Sequence, residues 1–486
     1  MPPSIIVIKV GTSSLIDTRT GRTHVSALAR LAEAAMRLQR AGLHVIIVSS
    51  GAVGLGCARL GLTSRPATVA GKQAAAAVGQ VRLMSLFEGM FSAGGGSCAQ
   101  VLLTYDAIGD RTQYLNARNT FAELLRLGVV PIVNENDTVA THEIRVGDND
   151  TLSALVAAMV GGQWLLLLTD VEALFEANPR SVPEARPLRV VSSQLAIQSL
   201  RRQMQAGAPR LGGAGVELGG EGGSAGARGC GGALEELRDA ARGHAEHLAT
   251  PTTGAHSPPS EGGGAGSQWG TGGMLTKLKA AQLATAAGVS VLITCTANLE
   301  RLEALLSRGA EEEARAGAAR AGSPPASPGR APPSGFAAGE GSAPTPAPAP
   351  HASLSLFSSE ALGTTFLRVA RPATGRKRWI LSLAPHGSLR LDAGAVAAVV
   401  DARKSLFPAG VAAVEGEWEA QDAVLLCAPD GTEVARALIN YSAADCRRLA
   451  GKQSAEIADV LGFGTAQLAD RDNIVVLQVG KEVGAP

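Results

Sequence analysis

Between residues 5 and 168 the chain alternates short β-branched runs with stretches of helical periodicity, and this alternation restricts the fold more than any other feature. The run Ile5-Ile6-Val7-Ile8 has no polar alternation, as suits a strand covered on both faces. Helical periodicity follows over 25–40 and stops at Ala41-Gly42, and His44-Val45-Ile46-Ile47-Val48 is the next strand. Further strands are expected at Gln100-Val101-Leu102-Leu103, Val129-Val130-Pro131-Ile132-Val133 and Trp164-Leu165-Leu166-Leu167-Leu168, with helices over 66–92, 112–127 and 150–160 between them. A β-α-β order of this kind predicts an α/β fold, a mostly parallel central sheet sandwiched between helices.

Composition then breaks the pattern. Residues 205–267 are dominated by Gly, Ala and Arg, and residues 308–352 by Ala, Pro, Gly and Ser. Neither stretch can bury enough apolar surface to offset its ordering entropy, so both are expected to be disordered insertions. Globular text returns between them, with a helix near 274–287, the strand Val289-Ser290-Val291-Leu292-Ile293 and a short helix. After them, Thr364-Thr365-Phe366-Leu367 is expected as the last strand of a first domain spanning 4–368. Strand-like runs then prevail: Trp379-Ile380-Leu381, Ser388-Leu389-Arg390-Leu391 and Ala423-Val424-Leu425-Leu426 predict a small, mostly β domain over 376–472, followed by a tail over 473–486. With 486 residues, two domains plus spacers is the natural expectation.

Lys and Arg total 44 against 43 Asp and Glu, so bulk electrostatic capture of nucleic acid or anionic membrane is not what this chain is built around. Six scattered cysteines without a C-x-x-C pair give no metal site or disulfide framework, which fits a reducing, cytoplasmic setting. No apolar run approaches the roughly 20 residues of a membrane span. The first strand begins at Ile5, so no leader peptide is expected in the sequence as it stands, although an organelle-targeted precursor is left open.

Polar clusters fall where such sheets bind ligands. In Lys9-Val10-Gly11-Thr12-Ser13 a lysine at a strand end can set an ammonium against phosphates, and glycine lets backbone N–H groups approach the same oxygens; the plainer reading is a surface lysine before a turn. A P-loop is excluded, since Gly71-Lys72 and Gly451-Lys452 are both followed by Gln. Ser49-Ser50-Gly51-Ala52-Val53-Gly54 ends a strand and opens a helix, offering an anion pocket or simply a capping turn. Asn134-Glu135-Asn136-Asp137 and Gly147-Asp148-Asn149-Asp150 suit an amino-acid ligand, whose ammonium wants carboxylates and whose carboxylate wants amides; Asp150 could equally be a helix cap. Thr169-Asp170 ends an apolar strand, and Thr271-Gly272-Gly273-Met274-Leu275-Thr276-Lys277 places a lysine near a helix start.

Taken together, these segments, with Leu115-Asn116-Ala117-Arg118, resemble the amino acid kinase family, in particular its members that act on glutamate. The segment beginning Arg376-Lys377-Arg378-Trp379-Ile380, with Leu406-Phe407-Pro408-Ala409-Gly410-Val411 and Asn440-Tyr441-Ser442, resembles a PUA domain. The resemblance implies a three-layer α/β/α kinase fold with a PUA-like domain after it. It further implies ATP as co-substrate with Mg²⁺ on its phosphates, and phosphorylation of the glutamate side-chain carboxylate as the first step of proline synthesis. By the same resemblance Lys9 and Lys277 would stabilise the transferring phosphoryl group and Asp150 would orient them. Ser50, Gly51, Asn134, Asp137 and Asn149 would hold glutamate. Lys9, Gly11, Thr12, Ser13, Thr169, Asp170, Thr271, Gly272, Gly273, Met274, Leu275, Thr276 and Lys277 would line the ATP site, and no metal ligand among the side chains is implied.

The resemblance also implies a homo-oligomer, feedback inhibition by proline and a separate glutamyl-phosphate reductase downstream. The competing readings are another family member acting on aspartate, acetylglutamate or uridine monophosphate, a fused kinase–reductase, and an RNA-binding protein using its PUA-like domain. The chain is too short for the fusion, and the near-zero net charge gives RNA binding little electrostatic drive.

Overall fold

The computed structural model describes residues 4–17, 22–140, 149–177, 182, 184–205, 273–321, 362–369, 372–462 and 465–477. In chain order the first domain comprises β1 (Ile5–Val10), α1 (Thr12–Leu15), α2 (Val25–Arg40), β2 (His44–Ser49), α3 (Ala52–Arg59), α4 (Val69–Ala93), β3 (Cys98–Leu103), α5 (Tyr105–Gly109), α6 (Arg111–Arg126) and β4 (Val130–Glu135). It continues through α7 (Asn149–Val160), β5 (Trp164–Thr169), β6 (Val190–Val191), α8 (Gln194–Gln205), α9 (Met274–Ala286), β7 (Ser290–Cys295), α10 (Leu299–Ala321) and β8 (Thr364–Phe366). The eight strands form one sheet in the order β3-β4-β2-β1-β5-β7-β8-β6. Neighbours run parallel except at β7/β8, which is antiparallel.

Side-chain alternation in β1 explains both the layering and the site. Ile6, Ile8 and Val10 enter one core with α2, α4 and α10, whereas Val7 enters a second core with α6, α7, α8 and α9. Lys9 is two residues beyond Val7 and so faces the second layer, above the start of α7 and α9. Because β1, β2, β3, β4, β5 and β7 are parallel and in register (Lys9 opposite Val48 and Leu167, Leu168 opposite Thr294), their C-terminal ends share one edge, while β8 and β6 run the other way. Ligands of open α/β sheets bind outside that edge.

Close helix packing fixes the left side of this edge. A Cβ at Gly56 would lie 1.7 Å from the Ala75 carbonyl oxygen, and one at Gly79 would lie 1.8 Å from that of Ala52, so α3 and α4 touch backbone to backbone.

A second sheet follows: β9 (Gly387–Leu391), β10 (Val411–Gly416), β11 (Ala423–Cys427), β12 (Glu433–Leu438) and β13 (Ile474–Val476), in the order β10-β9-β11-β12-β13. Three expectations are corrected here. Trp379-Ile380-Leu381 is helical, within α11 (Arg376–Ser382), because this apolar run is buried between the domains rather than in a sheet. Periodicity alone does not separate a short buried helix from a strand. Residues 308–321, placed in the second insertion, continue α10, and residues 474–476, placed in the tail, complete the second sheet. Most of the first expected insertion and the remainder of the second lie outside the described residues. The elements α8 and β6 had not been expected; the polar text of α8, Gln194–Gln205, hides a buried face of Ala196, Ile197 and Leu200.

Replacing Gly56 by Ala should lower stability by about 1–3 kcal/mol, because neither carbonyl-bearing backbone can give way cheaply. The check is a chemical-denaturation midpoint; a midpoint equal to that of the unaltered protein would show that α3 and α4 are not in such close contact.

Candidate active site

Three charged side chains meet beneath the sheet edge. Lys9 Nζ lies 2.6 Å from Asp150 Oδ1 and Lys277 Nζ lies 3.2 Å from Asp150 Oδ2. The Thr276 hydroxyl donates to Oδ2 at 2.8 Å. Lys9 and Lys277 are 5% exposed and Asp150 1%, so the charges interact in a medium far less screening than water. Asp150 sits in the first turn of α7, and Lys277 in the first turn of α9, whose N-cap is Gly273. Burial pushes the Asp150 carboxyl up, but Lys9 and Lys277, with hydrogen bonds from Lys9 and Thr276, overcome it and bring the group from 3.8 to about 2. Two ammonium groups against one carboxylate leave a net positive site, suited to an anion.

Gly11 follows immediately; a Cβ there would lie 3.7 Å from Lys9 Nζ, so glycine keeps the approach to the ammonium clear. Thr12 and Ser13 form the first turn of α1 beside it. Further along the edge, Ser14 Oγ is 3.0 Å from Thr296 Oγ1, which donates to the Thr169 carbonyl at 3.2 Å; Thr169 in turn donates to Asp170. Met274 and Leu275 open α9, while Thr271, Gly272, Gly147 and Asp148 lie outside the described residues.

On the other side of Lys9 runs an amide chain. Asn149 Nδ2 is 2.9 Å from Ser50 Oγ, 2.9 Å from Asn134 Oδ1 and 3.1 Å from the Ser49 carbonyl. Asn134 Nδ2 donates to Gln80 Oε1 at 2.9 Å. Gly51, with φ of +111°, turns the backbone from Ser50 into α3, a left-handed conformation that side chains disfavour. Asn149 Oδ1 and Gln80 Nε2 are buried without a partner among the described residues. Such groups cost about 1–3 kcal/mol each and are tolerated where a ligand satisfies them. Asp137, in the turn after β4, is raised to about 6 by burial, which the charge of Arg65 partly offsets.

Gln80, Thr296 and Arg65 were not anticipated from the sequence. Gln80 is seven residues from Gln73 on the alanine-rich α4, and that spacing of polar residues on one helix face was the available signal. Three basic residues of the second domain, by contrast, are engaged by protein groups. Arg378 packs beside Gly161 at the end of α7, Arg447 pairs with Glu417 at 2.8 Å, and Arg448 donates to the Val460 carbonyl.

The amino acid kinase family model matches residues 4–212, and the PUA domain model matches residues 387–461. A glutamate 5-kinase of Nostoc sp. is 42% identical over 473 residues, which cover 97% of this chain and 96% of the relative. Those of Trichormus variabilis and Gloeobacter violaceus are also 42% identical, each over 97% of this chain and 99% of the relative. The chain belongs to the glutamate 5-kinase branch of the amino acid kinase family. The expected fold is that of the family: a mostly parallel sheet between helical layers, with a separate mostly β PUA domain. Among the described residues no helix of this kinase-family chain is long and apolar enough to cross a membrane.

The depressed Asp150 group makes a stability prediction. Its ion pairs contribute fully above the unfolded value of 3.8 and are lost as pH falls toward about 2. Asp150→Asn should therefore flatten the fall of unfolding free energy with pH in that window, while costing about 3–5 kcal/mol near neutrality through the unpaired lysines. Equal acid sensitivity in the variant and the unaltered protein would contradict the pairing.

Proposed function

We propose that this kinase transfers the γ-phosphoryl group of ATP to the side-chain carboxylate of L-glutamate, giving L-glutamyl 5-phosphate, the first step of proline synthesis from glutamate. The observation that carries this reading is the buried Lys9–Asp150–Lys277 cluster with the Ser50–Asn149–Asn134 hydrogen-bond network joined to it at Asn149, the residue before Asp150. The names of its relatives agree.

Lys9 and Lys277 approach the transferring phosphoryl group as a pair. In the resting site each ammonium rests on Asp150, and the charge developing on the phosphoryl oxygens draws on both without new side chains having to move in. Asp150 is a positioning residue, since both of its oxygens are engaged. A glutamate carboxylate is already a nucleophile at neutral pH. Its oxygen bonds to the γ-phosphorus as the bond to the β–γ bridging oxygen breaks, ADP leaves with the electron pair, and no proton need move. Catalysis is then chiefly orientation and charge stabilisation.

On the acceptor side, Ser50, Asn149 and Asn134, with Gly51, would hold the glutamate side chain, and Asp137 would take its ammonium. The nucleotide side comprises Gly11, Thr12, Ser13, Thr169, Asp170 and residues 271–277. With the Asp150 carboxylate occupied by lysines and a hydroxyl, Mg²⁺ fits as a partner of the phosphate oxygens and water; bound there, it would supply further neutralisation of phosphate charge.

An ADP-release assay with hydroxylamine trapping should give acyl hydroxamate from glutamate well above that from aspartate or acetylglutamate. Aspartate is one methylene short, and acetylation removes the ammonium that Asp137 would bind. Faster turnover of either alternative would reject the acceptor assignment. Because Asp137 is held at about 6, its ionised form is lost as pH falls through that value, so the apparent KM for glutamate should rise below about pH 6. Asp137→Asn should raise KM above about pH 6 to the value the unaltered enzyme reaches at low pH, and so remove that dependence; a pH profile unchanged in the variant would place the ammonium elsewhere.

A further inference from the structure

Arg65 lies in the connection between α3 and α4, just before Pro66-Ala67-Thr68, where the Thr68 side chain caps α4 by accepting from the Gly71 N–H. It had no place among the expected site residues, and a connection of this kind would normally leave an arginine pointing into water. Instead its side chain is drawn in. Arg65 Nε is buried and has no hydrogen-bond partner among the described residues. Its charge is the one that acts on Asp137. The start of α4 is tied to the turn that carries Asp137: Gln73, one turn into α4, donates to the Ala140 carbonyl at 3.4 Å, at the end of that turn. Among the described residues no ion pair joins Arg65 and Asp137.

An opposed guanidinium and carboxylate that feel one another without touching have the polarity needed for the backbone end of an amino acid, which carries an ammonium and a carboxylate on one carbon. We propose that Arg65 is a specificity residue of the acceptor site, its guanidinium taking the substrate α-carboxylate while Asp137 takes the α-ammonium. This inference rests on the reading of the acceptor as glutamate. It divides the substrate's two carboxylates by their partners: the side-chain one goes to the neutral Ser50–Asn149–Asn134 recess beside Lys9, the α-carboxylate to the fork of Arg65. Neutral donors leave the reacting carboxylate nucleophilic, whereas a guanidinium on it would withdraw electron density. The fork matters as much as the charge, because guanidinium and carboxylate match in paired hydrogen bonds and an ammonium does not.

The experiment is steady-state kinetics of the full chain and of Arg65→Gln and Arg65→Lys, with 4-aminobutyrate and glutarate as competitive inhibitors against glutamate. The first inhibitor lacks the α-carboxylate and the second lacks the α-ammonium. Arg65→Gln should raise KM for glutamate by about 10- to 100-fold with little change in kcat. It should weaken glutarate by a similar factor and leave 4-aminobutyrate unchanged; Arg65→Lys should recover part of the loss. Equal weakening of both inhibitors would mean that Arg65 only supports the loop, and an unchanged KM would mean that it does not meet the substrate; either overturns the proposal. Absence of acyl hydroxamate from glutamate with the unaltered enzyme is a different failure, which removes the acceptor assignment and this inference together.

Discussion

Everything in this active site depends on one buried carboxylate holding two lysines that would otherwise repel each other. Asp150 lies under the sheet edge with Lys9 on one oxygen and Lys277 on the other. Two ammonium groups this close, with almost no solvent, would be strongly unfavourable alone. With Asp150 between them the cost is offset, and a single net positive charge remains, suited to an anion. The three residues come from β1, α7 and α9, so the cluster also fixes how two helices begin relative to the central strand.

Much of this was legible in the sequence because it is written in local patterns. The β-branched runs gave the parallel sheet, and the polar segments at their ends gave its binding edge. Periodicity put Lys9, Asp150 and Lys277 at the ends of elements but left each with a plainer reading; only the family resemblance grouped them as a set. Their direct contact was not readable, because it depends on residue alternation in β1 together with the placement of α9, more than 260 residues away in the chain. Gln80 and Arg65 were hidden for another reason. The seven-residue spacing of Gln73 and Gln80 marks a polar face on α4, but neither it nor the turn holding Arg65 reads as inward-facing until the backbone contact of α3 with α4 is known.

The second domain illustrates the same limit. Its strands were visible, but α11 read as a strand because Ile380 and Leu381 are buried against both domains, among Ala158, Ala286, Leu438 and Val475. Polar contacts reinforce that junction: Gln198 donates to the Glu433 carbonyl at 2.8 Å, and Gln282, on the helix that carries Lys277, donates to Glu433 Oε2 at 3.2 Å. Arg436 is half-buried there, brought down to about 10 by desolvation, with its Nη1 on the Leu381 and Leu383 carbonyls. The basic segment 376–378 thus serves the junction in part, with Arg378 against the end of α7.

The central claim is that Lys9 and Lys277 act on the transferring phosphoryl group and not on the acceptor. The most direct measurement is the turnover number and the glutamate KM of Lys9→Ala and Lys277→Ala, taken at saturating ATP with folding verified by thermal unfolding. The account predicts that each variant loses turnover by about 100-fold or more, the scale of removing one preorganised charge from a transition state, with the glutamate KM shifted far less. Turnover retained near the unaltered value, or a loss confined to KM, would contradict it.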